Sequence, residues 1–222
     1  MTYRARLEEI VNLSYKILYN KIANGSIKIH NEASMQLQLG VILRQLGTLY
    51  EFAEKDNFRI ELEKTIKLRS RTAKSLNGKA RCDIWLELGN EGQKAFAIIE
   101  LKYFKYSQNT EATTDNRFSL MLDIGNLEDY TKIYPNLLGY AMVYTNNENY
   151  TKDGTSTHSA IKLAPYITQS IKRRLTKKGR QVDIGVKLQH QYIANWVKFS
   201  SSSEGDTGHY FLKIDLDRYQ EE

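Results

Sequence analysis

Apolar residues recur at helical spacing through the first quarter of the chain. Leu7, Ile10, Ser14, Ile17 and Leu18 predict a helix over 3–23 that ends at Gly25. Leu39, Ile42, Leu43, Leu46 and Tyr50 predict a second over 32–54, with Asn31 as its N-cap. The period then changes to two. Phe58, Ile60, Leu62, Ile66 and Leu68 alternate with Arg59, Glu61, Glu63 and Thr65, the pattern of a strand over 57–68. A hairpin over 80–105 follows, each arm alternating in the same way around a turn that contains Gly89 and Gly92. Residues 106–116 are polar and read as a loop. Phe118, Met121, Leu122, Tyr130 and Ile133 predict a third helix over 117–134, stopping before Pro135, and 137–145 is a nearly continuous apolar run suited to a buried strand. Beyond a polar loop over 146–158, the pattern predicts a fourth helix over 160–175 and strands near 183–199 and 209–216.

The hairpin carries the chemistry. In its first arm Ala80, Cys82, Ile84, Leu86 and Leu88 alternate with Arg81, Asp83, Trp85 and Glu87, so one face is expected to be buried. In its second arm Glu100 and Lys102 share a face. If Leu88 lies opposite Ala95, counting back along both arms sets Asp83 across from Glu100, with Cβ atoms about 5 Å apart. Two carboxylates that close repel unless a cation or a proton lies between them. A hard divalent cation such as Mg2+ suits the pair, because it takes one or two carboxylates together with water and substrate phosphate. Lys102 then adds an ammonium group at the same place, where it holds a water or offsets developing negative charge. An exposed hairpin with cross-strand charge pairs would show the same residues. The apolar neighbours Ile98, Ile99, Tyr103 and Phe104 speak against that simpler reading.

Asp83, sixteen intervening residues and Glu100-Leu101-Lys102 at the end of a hydrophobic strand resemble the signature of the PD-(D/E)XK nuclease superfamily, which includes most type II restriction endonucleases. Cys82 stands where many members have proline. The order strand, strand, strand, helix, strand matches the common core of that superfamily, and the resemblance covers about 32–146. It implies an α/β fold with a restriction-endonuclease-like core, a mixed central sheet flanked by helices. It also implies a Mg2+-dependent endodeoxyribonuclease, with Mn2+ as a substitute, acting as a homodimer on double-stranded DNA beside a cognate methyltransferase encoded nearby. Asp83 and Glu100 would hold the metal, the Leu101 backbone carbonyl would add a ligand, and Lys102 would orient the attacking water. A helix before the first core strand often contributes a further glutamate, which here is Glu32 or Glu51. For Glu32, a first-turn acid favoured by the helix dipole is an equal account.

Composition adds partners and location. The 222 residues, 41% of them hydrophobic, suffice for a single domain over 1–222. The formal charge is +6 and the chain has 15 tyrosines, which suits a polyanionic partner. Between 64 and 81 there are seven cations and no acid, among them Arg69, Arg71, Lys74, Lys79 and Arg81, a run that could bring DNA phosphates to the metal but that by itself is better accounted for as an ordinary solvated loop. A second cluster, Lys172, Arg173, Arg174, Lys177, Lys178 and Arg180, is denser and reads as a contact to nucleic-acid phosphates. The one cysteine, Cys82, excludes a disulfide within the chain and suits a reducing cytoplasm. No stretch approaches the roughly 20 apolar residues of a membrane span. His30, His158, His190 and His209 lack metal-ligand spacing, and no phosphate-binding glycine motif is present.

Overall fold

The computed structural model describes residues 1–67, 79–105, 110–152, 161–177, 180–199 and 208–220. Their elements are α1 (Tyr3–Ala23), α2 (Glu32–Leu49), β1 (Asn57–Lys67), β2 (Lys79–Gly89), β3 (Lys94–Phe104), α3 (Thr110–Thr131), β4 (Leu138–Thr145), β5 (Ser170–Lys177), β6 (Arg180–Lys187), β7 (Gln191–Tyr192), β8 (Val197–Phe199), β9 (His209–Asp215) and β10 (Tyr219–Gln220). Six strands form one mixed sheet in the order β1-β2-β3-β4-β9-β8. Only the β3–β4 contact is parallel. Helices cover both faces. The apolar sides of α1 and α2 pack with Ile84, Leu86, Ala97, Ile99, Tyr140 and Met142 on one side. On the other, α3 and the segment after β4 pack with Trp85, Ile98, Ala141 and Val143. The architecture is therefore mixed α/β, with a six-stranded mixed sheet between helices.

Local chemistry accounts for the boundaries. Thr2 caps α1 by accepting from the Ala5 N–H at 3.2 Å. Asn31 caps α2 in a reciprocal box with Ser34. Gly25, at φ 77°, follows the end of α1 in the left-handed region that glycine enters at no steric cost. The hairpin closes with Leu88 opposite Ala95, and its turn is held by Asn90, whose side-chain oxygen accepts from the N–H groups of Gly92 and Gln93.

Arg6 of α1 is buried and reaches across to the turn before β1. It pairs with Asp56 at 2.7 Å and donates to the Tyr50 carbonyl at 2.8 Å. Asp56 also accepts from the Tyr3 hydroxyl and from the Phe52 and Ala53 N–H groups. At the outer edge of β1, Glu51 accepts from the Phe58 N–H at 2.6 Å and Arg44 donates to the Phe58 carbonyl at 3.2 Å.

Gly47 is a close approach between α2 and β1. A Cβ there would lie 2.1 Å from the Phe58 ring, which is itself 1% exposed. Alanine gains about 1 kcal/mol of helix propensity over glycine, whereas forcing an extra carbon into a filled core costs about 1–3 kcal/mol. Such overlap with a ring falls at the upper end of that range. Gly47→Ala is therefore expected to lower the free energy of unfolding by about 1–2 kcal/mol in urea denaturation. An unchanged midpoint would mean that the ring has room to swing away.

Several expectations are corrected. The segment 160–175 is not a helix: Ser170–Lys177 is a strand whose antiparallel partner is Arg180–Lys187, with Ile171 opposite Val186 and Arg173 opposite Ile184. The alternation of Ile184 and Val186 toward the core, not a 3.6-residue period, governs this ribbon. The strand expected over 183–199 is three pieces, β6, β7 and β8. The third helix starts at Thr110 rather than 117, and α2 stops at Leu49 rather than 54. Trp85 does not share an open face with its neighbours; it is 2% exposed, because the sheet is covered on both sides. Among the described residues, no helix is long and apolar enough to cross a membrane.

Candidate active site

The sheet changes face at Asp83. Between β1 and β2 the ladder runs to Leu62 opposite Ile84 and resumes with Lys64 opposite Cys82, omitting Glu63 and Asp83. Glu63 has φ 56°, in the left-handed region. On one side of this break Ile84, Leu86 and Leu88 face the core under α1 and α2; on the other, Ala80, Cys82 and Ile66 face the core under α3. Gln36 of α2 spans the break, donating to the Asp83 carbonyl at 2.7 Å and to Glu63 at 2.9 Å. The β2–β3 ladder ends at the same level, with Ile84 opposite Ile99. Asp83 and Glu100 are thus the first residues past the last pair on adjacent strands. The Asp83 carboxylate turns onto β3 and accepts from the Leu101 N–H at 2.6 Å.

Lys102 closes the cluster. Its ammonium lies 2.6 Å from Asp123 of α3 and 3.8 Å from Glu32 of α2, and donates to the Leu101 carbonyl at 3.0 Å. Its side chain is 11% exposed, that of Asp123 is 1% exposed, and Glu100 is buried. Burial by itself pulls an ammonium pKa down; the Asp123 and Glu32 carboxylates overcome it and hold Lys102 above the ordinary lysine value. Lys102 is thus held in its charged form by its two carboxylate neighbours. Partial burial raises the Glu32 pKa, with Lys102 opposing and Asp83 and Asp123 adding to it. Burial, reinforced by Glu100 and then Asp83, pushes the Cys82 thiol up to about 12, so it is an inert core group.

The donor set suits a hard divalent ion in chemistry. Glu32, Asp83, Glu100 and the Leu101 carbonyl all offer oxygen, whereas Cys82 is protonated. Among the described residues no group of three or more acidic, histidine or cysteine side chains is placed to hold a metal ion. A carboxylate pair from adjacent strands is nevertheless what Mg2+ asks of a protein, the remaining positions going to water and substrate.

Glu32 joins this cluster; Glu51 does not, being engaged at the start of β1 near the opposite end of the strand. Among the cations singled out for DNA, Lys79 and Lys172 are exposed on β2 and β5. Arg81 is exposed and pairs with Glu63 at 2.6 Å, and Arg173 pairs with Asp115. Arg174, Lys177 and Arg180 lie on the β5–β6 ribbon. Arg69, Arg71, Lys74 and Lys178 lie outside the described residues. Two members of the cluster escaped sequence reasoning, Gln36 and Asp123. Asp123 had a signal: it shares a helix face with Leu120 and Leu127, so it is an acid at a core position. Gln36 lies one turn after Glu32, which is visible only once Glu32 is placed. Comparison with known protein families, curated proteins and solved structures gives no match for this chain.

Proposed function

We propose that this chain is a Mg2+-dependent DNA endonuclease with a restriction-endonuclease-like core, cutting double-stranded DNA at a specific site as a homodimer. The observation that carries the reading is the position of Asp83 and Glu100 as the first residues past the β2–β3 ladder, with Lys102 two residues further on, held by carboxylates of α2 and α3. The element order α2-β1-β2-β3-α3-β4 and the parallel β3–β4 pair add support. On this reading Asp83 and Glu100 hold the cation and the Leu101 carbonyl completes the protein's share. The bound cation would offset phosphate charge and acidify a coordinated water. Lys102 stays protonated and donates, orienting the water and countering charge that builds on the phosphate. The exposed cations Lys79 and Lys172 would contact the phosphodiester backbone, and such contacts position DNA without reading its bases.

Digestion of a mixed plasmid pool by purified protein tests this reading, with Mg2+, with Ca2+ in its place, and with Asp83→Ala beside wild type. Discrete fragments that require Mg2+ and vanish in the variant are the expected result. Nicking confined to branched or damaged DNA would move the assignment to a repair nuclease or resolvase. DNA binding in Ca2+ with no cleavage under any condition would leave a binding subunit that retains the core.

A further inference from the structure

The stretch 170–187 carries seven of the chain's 32 basic residues and one of its 26 acids, which leaves 25 of each elsewhere. The whole formal charge of +6 therefore belongs to this one stretch. It forms β5 and β6, a two-stranded antiparallel ribbon separate from the six-stranded sheet, paired from Ser170 opposite Lys187 to Lys177 opposite Arg180. Helix α3 seats one end of it. Ile184 and Val186 are buried in the core under α3, a Cβ on Gly125 would lie 3.6 Å from Val186, and Arg173 pairs with Asp115 and lies over the Phe118 ring. Past the Arg173–Ile184 pair the ladder runs on for four more pairs, about 13 Å at the rise of a strand. The same helix holds Lys102 through Asp123, so one element ties the ribbon to the acidic cluster.

We infer that the β5–β6 ribbon is the arm with which this chain enters the major groove of double-stranded DNA. The inference rests on the nuclease reading for its partner and extends it by naming the element that grips the duplex. The major groove, about 12 Å wide and about 8.5 Å deep, admits a two-stranded ribbon, whose backbones stand about 4.8 Å apart. The pairs beyond Arg173 are long enough to span that depth. They include Arg174, Lys177 and Arg180, which supply charge for the phosphates on both groove walls. At the seated end Lys172 and Lys187 are exposed, and each stands opposite a small residue, Gly185 and Ser170, which leaves the ribbon backbone open to close approach. A flat anionic surface such as a membrane would answer the charge equally well, but it makes no use of a narrow ladder of this length.

Binding of a mixed-sequence DNA duplex in Ca2+, measured across a range of salt concentrations, tests the assignment. Wild type should bind DNA well above duplex RNA of the same sequence, whose deep, narrow major groove does not admit such an element. Joint replacement of Arg174→Gln, Lys177→Gln and Arg180→Gln should make the dependence of log affinity on log salt shallower by about 2–3, with a roughly hundredfold loss at about 0.1 M salt, and should erase the preference for DNA. The control removes three exposed lysines in and after α1, by Lys16→Gln, Lys21→Gln and Lys28→Gln, and should change affinity by less than tenfold. Arg174→Lys with Arg180→Lys keeps the charge and should keep the wild-type salt dependence; a loss there as large as in the neutral variant would mean that these residues serve the fold, and would overturn the inference. Equal losses in the neutral ribbon variant and the control, equal affinity of wild type for the two duplexes, or tighter binding to phosphatidylserine vesicles than to DNA would each overturn it as well. Mg2+-dependent cleavage that survives in the neutral ribbon variant would remove the ribbon's role and leave the nuclease reading standing, whereas ribbon-dependent DNA binding without cleavage would do the reverse.

Discussion

Glu100→Gln should abolish Mg2+-dependent cleavage, by roughly 10^3-fold or more, and at the same time leave the metal-free protein as stable as wild type or more so. The two effects have one cause. Glu100 is 1% exposed and stands beside Asp83 across the end of the β2–β3 ladder. A charge taken out of water next to a like charge costs free energy in the fold, and glutamine removes the charge at constant shape. On the proposed nuclease reading, that cost is retained because the charge holds a cation. The comparison to make is cleavage rate against thermal midpoint, each with Mg2+ and with EDTA. Wild type should gain about 2.7 kcal/mol when Mg2+ is present at about 100 times its Kd, and the variant should lose most of that gain. A variant that cuts within tenfold of wild type, or one that unfolds, would make Glu100 a structural residue.

The largest purely structural effect is expected at Arg6. Its guanidinium side chain is 7% exposed, it is shared between Asp56 and the Tyr50 carbonyl, and it lies over the rings of Tyr3 and Phe52. Truncation to alanine leaves Asp56 charged in a place closed to water, a change that costs about 3–5 kcal/mol. Because Tyr3 and two backbone N–H groups remain on Asp56, the lower end is expected. Acid denaturation offers an independent check. The Tyr3 hydroxyl first, and Arg6 second, hold the Asp56 carboxyl down from its ordinary 3.8 to about 2. A depressed carboxyl stabilises the fold fully above its unfolded pKa, and that contribution fades as pH falls from 3.8 toward 2. In Arg6→Ala the Asp56 carboxyl should titrate closer to its ordinary value, so the variant should lose less stability than wild type across that window. Parallel acid limbs would mean that Tyr3 alone sets the carboxyl.

Hydrophobic period alone located the helices α1 and α2, the strand β1, the hairpin with its register, and β4, because in each one spacing dominates over a full element. It failed where two influences compete. The cations from Lys172 to Arg180 obscure a two-residue alternation, and only the partner strand with Ile184 and Val186 resolves it. Trp85 looked exposed because period two assigns it to the face of Asp83 and Glu87; a helix on each side of the sheet removes that distinction. At the site, Asp83, Glu100 and Lys102 were legible since one hairpin register fixes all three. The simple cross-strand picture stops one residue short, because the ladder ends at Ile84 and Ile99 and the Asp83 carboxylate turns to the Leu101 N–H instead. Asp123 and Gln36 come from other elements, and no local pattern relates a helix residue to a strand some twenty or more positions away.

The capped edge of β1 bears on how copies of this chain can associate. An outer strand with open amides recruits the same strand from a neighbour, either into a paired dimer or into an extending fibril. Here the Phe58 amide and carbonyl are already taken by Glu51 and Arg44, and the left-handed turn of the chain at Glu63 breaks the straight run beyond. At the opposite margin β8 is only three residues long. Among the described residues, pairing of a second copy along the Phe58 end of β1 would have to displace Glu51 and Arg44 first.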